Sequence, residues 1–147
     1  MSLIGEDILN DIDIARVALR NSDNSIVVVK DGKIISTKKG GGVRPILEVI
    51  EELGEEMHDS VVGDRILGKA SALLLRFSKV KGVYSPQATK TAIAVLIVGG
   101  IPSQADELVP FIQNRSKDGL CPFEKMLKNI DSPEEAYKIL MEKVLNR

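Results

Sequence analysis

The sequence predicts a mixed α/β sandwich, and three observations carry that expectation. An Asp31-Gly32 pair separates two β-rich runs, apolar residues recur at helical spacing on both sides of them, and short β-rich runs alternate with helical ones later in the chain. A hairpin followed by alternating helices and strands builds a sheet that is not purely parallel. At 147 residues the chain fits a single domain, 1–147. A chain of this size buries about 70% of its unfolded surface, enough for a core without metal or disulfide staples.

The first helix is expected over residues 6–20. Ile8, Ile12, Ala15 and Leu19 share a face, with acids toward the start and Arg16 and Arg20 toward the end, as the helix dipole favours. Asn21-Ser22-Asp23-Asn24 breaks it. Ser25–Lys30 and Lys33–Thr37 then flank Asp31-Gly32, whose chemistry suits a two-residue turn, so they form an antiparallel hairpin. Gly40-Gly41-Gly42 leads into a helix ending at Leu53, with Pro45 in the first turn, where a missing N–H costs nothing.

A longer helix is expected from Gly63-Asp64 to about Ser78, with Ile66, Ala70, Leu73, Leu74 and Phe77 on one face. Gly82–Ser85 reads as a short strand. Pro86 opens a helix through about Val98, which Gly99-Gly100 closes. Ile101–Ala105 is another short strand broken by Pro102, Asp106–Ile112 a helical turn interrupted by Pro110, and Asn114–Leu120 a polar loop. Cys121-Pro122 starts a helix to about Ile130. The last helix, 133–146, begins at a capping box of Ser132 and Glu135 with Pro133 at its first position.

Composition excludes several classes. A formal net charge of −1 gives no electrostatic footprint for nucleic acid or an anionic membrane, and five aromatics supply no base-stacking platform. One cysteine makes no internal disulfide, and one histidine makes no His-rich metal site. No apolar run is long enough to span a membrane, and the acidic N-terminus is not a signal peptide, so the plain expectation is a cytoplasmic protein.

Three segments carry candidate chemistry. Gly40, Gly41 and Gly42, flanked by Lys38, Lys39 and Arg44 before a helix start, can turn backbone N–H groups inward around a phosphate or carboxylate; the same glycines also describe a solvated turn. Gly63–Lys69 nearly spells a P-loop, but Ala70 stands where the magnesium-binding hydroxyl belongs, so the match is rejected. Cys121 opens a helix with Arg115 and Lys117 close in sequence, an environment that lowers a thiol pKa; a buried capping cysteine is the competing reading. His58, in an acidic stretch, reads as a solvated surface residue.

Gly42-Val43-Arg44-Pro45 after the hairpin, Gly63–Leu75, Val83-Tyr84-Ser85, Asn114-Arg115 and Asp118–Pro122 together resemble a family of small uncharacterised prokaryotic proteins with a cytidine-deaminase-like fold. The likeness spans about 24–130, leaving the helices at 6–20 and 133–146 outside its clearest part. It implies a three-layer α/β sandwich with a mixed sheet. Zinc deaminases carry His-x-Glu at one helix start and Pro-Cys-x-x-Cys at the next. Here Lys69-Ala70-Ser71 and Pro86-Gln87-Ala88-Thr89-Lys90 stand at those places, so the resemblance implies the fold without its zinc ligands, its metal cofactor or its proton-shuttling glutamate.

The leading expectation is therefore a zinc-free domain that binds a small polar or phosphorylated molecule, a nucleotide being one candidate, through Gly40, Gly41, Gly42, Arg44, Lys69, Ser71 and Gln87. A second is a metal-independent enzyme using Cys121 as a thiolate, with Arg115 and Asp118 beside it. A third is a non-catalytic interaction module, or a homodimer, using the Ala136, Ile139, Leu140 and Val144 stripe of the last helix.

Overall fold

The computed structural model describes residues 5–112 and 121–146. In chain order these form α1 (Glu6–Arg20), β1 (Ile26–Lys30), β2 (Lys33–Lys38), α2 (Arg44–Leu53), β3 (Val61–Asp64), β4 (Ile66–Leu67), α3 (Lys69–Phe77), β5 (Gly82–Thr89), α4 (Lys90–Val98), β6 (Ser103–Val109), α5 (Pro122–Met126) and α6 (Pro133–Leu140). A 3₁₀ turn, Gly54–Met57, follows α2, and a π-helical turn, Met141–Leu145, continues α6. None of the described helices is long and apolar enough to cross a membrane.

The hairpin turn has Asp31 at φ +51° and Gly32 at φ +79°, the positive pair that matches the twist of the flanking strands. The buried Asp11 carboxylate accepts from the Gly32 N–H at 3.1 Å and so ties α1 to this turn. β1 runs antiparallel to both β2 and β3, and β3, β4 and β6 run parallel to β5. The sheet is therefore mixed, as the hairpin implied.

Gly63 pairs with Tyr84 and Ile66 with Gln87, so β3 and β4 keep one register along β5. The interruption falls opposite Pro86, which has no N–H to give the ladder. The hydroxyl of Ser85 bridges the gap, donating to the Gln87 carbonyl at 2.7 Å and accepting from its N–H at 3.2 Å. Pro86 thus lies inside a strand and opens no helix; α4 begins only at Lys90, with the Thr89 hydroxyl accepting from the Ala92 N–H.

Two cores form on opposite faces of the sheet, giving three layers. Under α1, Ile12, Ala15 and Leu19 pack on Val27, Val29, Val61 and Tyr84. The larger core joins Val28 and Val62 to α2, α3, α4 and α6 through Ile46, Leu73, Leu74, Leu96 and Leu140. Each such side chain contributes about 1.5–3 kcal/mol on burial. The proposed interaction stripe belongs here: Ala136 and Leu140 are fully buried, and Ile139 and Val144 pack against the same core.

Three further expectations are corrected. Gly63-Asp64 ends a strand, and α3 starts at Lys69, because Val61 and Val62 are buried in a sheet covered on both faces. Ser103–Val109 is one continuous edge strand, where a short strand and then a helical turn were expected. The helix after Cys121 ends at Met126. The Asn114–Leu120 loop lies outside the described residues.

Candidate ligand cavity

Ile26 pairs with both Lys38 and Asp64, so β2 and β3 end at the same edge of the sheet. The loop leaving β2 and the chain entering α3 meet there. The carboxyl ends of parallel strands are where open α/β sheets place their ligands. Between these segments, α5 and the C-terminal turn lies a cavity of about 750 Å³. Its walls include Gly41, Gly42 and Arg44 at the α2 entry, Ile66, Gly68, Ala70 and Ser71 from β4 and α3, Cys121, Phe123 and Glu124 from the α5 entry and α5, and Lys143 and Val144 from the C-terminal turn.

The glycine loop, the α3 start and Cys121 thus share one cavity. Not every expected residue joins them. Gly40, at φ +127°, lies outside the wall and accepts the Ser25 hydroxyl at its carbonyl. Lys69 is turned away: its ammonium pairs with Asp131 at 3.1 Å and donates to the Lys128 carbonyl at 3.1 Å, clamping α3 to the α5–α6 connection. Gln87 is exposed outside the cavity wall. Val83 and Ala88, five residues apart, both enter the same core, so the pleat changes phase at Pro86 and leaves Gln87 outward. Arg115 and Asp118 lie outside the described residues.

The loop's lysines are also engaged elsewhere. Lys38 pairs with Glu52 at 2.6 Å, which holds the Glu52 carboxyl below its usual range, and Lys39 pairs with Asp23 at 2.9 Å. Arg44 faces the cavity and donates through Nη2 to the Val144 carbonyl at 2.7 Å. Among the described residues, no acidic side chain pairs with Arg44 or Lys143.

Two adjacent side chains of α5 close the cavity against two glycines. At Gly42, φ +64°, a Cβ would stand 2.6 Å from the Phe123 ring. At Gly68 it would stand 2.3 Å from Glu124 Oε1 and 2.4 Å from Ile112 Cδ1. With no side chain there, the Glu124 carboxylate reaches the first turn of α3 and accepts from the N–H groups of Lys69 at 2.8 Å and Ala70 at 3.0 Å. The positive end of α3 thus already holds an anion from the chain itself.

Behind the Ile66–Ser71 wall sits Asp64. Its side chain is buried on the same face as Val62, next to the Ser71 hydroxyl and the Ile66 N–H, and Oδ2 has no hydrogen-bond partner. Burial pushes its carboxyl up to about 7, against the opposing pull of those two donors. Next to it, Arg65 points to the other face, donating from Nε to the Asn24 carbonyl and from Nη2 to the carbonyls of Leu19 and Ser22.

Asp64, Phe123, Glu124 and Lys143 were missed as site residues. A signal for Asp64 existed: an acid directly after the apolar run Val61-Val62-Gly63, where a buried strand meets its ligand edge. For Glu124 and Lys143 there was none: the Ala70 amide that Glu124 accepts from is 54 positions away along the chain, and only folding brings Lys143 onto the same wall as Arg44.

A family described as a domain of unknown function, DUF1893 (TM1506), matches residues 14–144. A solved DUF1893 family protein from Thermotoga maritima is 26% identical and superposes with a TM-score of 0.80 over 95% of this chain and 92% of that one. Two forms of RibD from Acinetobacter baumannii, each 16% identical, give TM-scores of 0.52 and 0.53 over 68% and 67% of this chain. The match spans about a third of the RibD chain, 36% and 35%, and shows a shared fold alone. No curated protein matches.

Proposed function

The chain belongs to the DUF1893 family, and from the geometry of its cavity we propose that it binds a small polar or phosphorylated molecule, with a nucleotide among the candidates. One observation carries this reading: Arg44 and Lys143 border a cavity of about 750 Å³ with no acidic side chain paired to either among the described residues. Their charges, with the N–H groups of the Gly41-Gly42 loop beside the α2 start, favour an anionic group at the rim. The volume suits a small metabolite, and the apolar part of the wall, Ile66, Ile112 and Phe123, suits its remaining body. Among the described residues the one carboxylate on the wall, Glu124, is turned onto the α3 amides. Binding here is read as metal-independent. Among the described residues no three of His, Cys, Asp and Glu converge as a ligand set.

A thermal-shift panel of nucleotides and phosphorylated metabolites tests the reading. A ligand at about a hundredfold its Kd adds about 2.7 kcal/mol to the folded state, a rise of roughly 5–10 °C for a chain of this size. Arg44→Ala combined with Lys143→Ala abolishes the shift while leaving the unliganded melting temperature close to wild type. A flat panel, or a shift that survives the double substitution, overturns the assignment.

Cys121 gives a second reading. It is half-buried and lies on the same wall, so a thiol-dependent reaction on the bound molecule is the enzymatic alternative.

A further inference from the structure

Native folds rarely leave a buried carboxylate oxygen without a hydrogen-bond partner, and each instance calls for an explanation. Asp64 Oδ2 is such an atom. Its carboxyl sits at the carboxyl end of β3, and the two donors that act on it, the Ser71 hydroxyl and the Ile66 N–H, belong to residues of the cavity wall. Ser71 supplies the only hydroxyl on that wall among the described residues. A carboxylate kept only for the fold would need nothing beyond Ile66; this one also stands beside the one hydroxyl that faces the cavity among the described residues.

We propose that Ser71 and Asp64 act as one ligand-recognising unit at the floor of the cavity, accepting a hydrogen bond from an amide or amine N–H of the bound molecule. The inference rests on the binding reading above and narrows its ligand class to molecules with an anionic end and an N–H donor. Ser71 makes the contact, and Asp64 is a positioning residue. When Asp64 is ionised, the Ser71 O–H donates to it and the hydroxyl lone pairs are left for the cavity. When Asp64 is protonated it can donate to Ser71, whose own proton then turns outward. Its carboxyl, pushed up to about 7, places that exchange near neutral pH. Among the described residues, the ionisable groups on the cavity wall are Cys121 and Glu124 from α5 and its entry, Arg44 from α2 and Lys143 from the C-terminal turn, while Lys69 of α3 is paired with Asp131. On β5, Tyr84 packs in the opposite core, and on β1 the register partner of Asp64 is the uncharged Ile26.

Phosphonoacetamide and methyl phosphonoacetate are matched probes, because they share the anionic end and differ in an amide N–H₂ against an ester O–CH₃. Their Kd ratio, measured by calorimetry, cancels the ionisation of the phosphonate and of the rim cations. The amide is expected to bind about tenfold tighter at pH 8, the value of one good hydrogen bond. The preference falls as pH drops through 7, disappears in Ser71→Ala, and becomes independent of pH in Asp64→Asn. Equal affinity for both probes in the wild type, or a preference that survives Ser71→Ala, overturns this inference alone. If neither probe binds, the anion-binding reading falls with it. Ser71→Ala removes one buried hydroxyl, and its melting curve reports whether the fold is kept.

Discussion

Removing the Glu124 carboxylate tests whether α5 is held to α3 as the geometry states. In Glu124→Ala the N–H groups of Lys69 and Ala70 lose acceptors at 2.8 and 3.0 Å. Losing a helix-terminal cap costs about 0.5–2 kcal/mol, and a hydrogen bond to a charged group is worth about 1.5–3 kcal/mol. Water entering from the cavity recovers part of this, so about 1–3 kcal/mol is expected, a fall of roughly 3–9 °C. Gly68→Ala reaches the same contact from the other side: its Cβ, 2.3 Å from Glu124 Oε1, drives the carboxylate off α3. It also meets Ile112 Cδ1 at 2.4 Å, so it costs more than Glu124→Ala. Since both changes break one contact, the double variant is less destabilised than the sum of the singles by about 1 kcal/mol or more. Urea unfolding of the four proteins at pH 7 measures this. Strict additivity, or a Glu124→Ala cost below about 0.5 kcal/mol, refutes the reasoning.

Other outcomes follow from neighbouring residues. Because the folded-state Asp64 carboxyl sits at about 7 against an ordinary 3.8, the folded protein binds the extra proton between those values, and the group's contribution to stability falls as pH rises through that window. Asp64→Asn removes the dependence, so its stability relative to wild type grows from pH 4 to pH 8 by on the order of 4 kcal/mol; a constant difference across that range contradicts the assigned burial. Gly42→Ala forces a side chain into φ +64° and against the Phe123 ring at 2.6 Å, and a melting temperature unchanged from wild type would show that the α5 contact is not made. Cys121, half-buried on the cavity wall, is alkylated by iodoacetamide more slowly when a binding phosphorylated compound is present; an unchanged rate separates the thiol from the site.

The hairpin, α1, α2 and the capped start of α6 were legible because each is specified locally: Asp31-Gly32 supplies two positive φ values, and the Ser132 hydroxyl accepts from the Glu135 N–H at 3.2 Å. The central strands were not. Val61 and Val62 are buried between two helical layers, so β3 shows no alternation, and Gly63-Asp64 resembles a helix entry. Pro86 misled for a related reason: its missing N–H suits a first helical turn as well as a strand whose ladder is bridged by Ser85. The β6 edge strand, with Asp106, Glu107 and Leu108 exposed, lacked an apolar face to announce it. At the site, the glycine loop, Arg44, Ser71 and Cys121 could be picked out by type and position. That they share a wall, and that Lys69 is diverted to Asp131, depends on pairings made across the fold.

Arg65 carries a consequence for the cavity it does not touch. Its guanidinium gathers the carbonyls of Leu19, Ser22 and Asn24, where α1 ends and the chain turns toward the hairpin. One peptide away on either side stand Asp64 and Ile66, the back and the face of the cavity wall. The anchorage of a surface helix and the placement of the cavity wall are therefore fastened at a single point in the chain. Loosening α1 at its C-terminal end is therefore expected to reach, through that point, the wall of a cavity on the opposite face of the sheet.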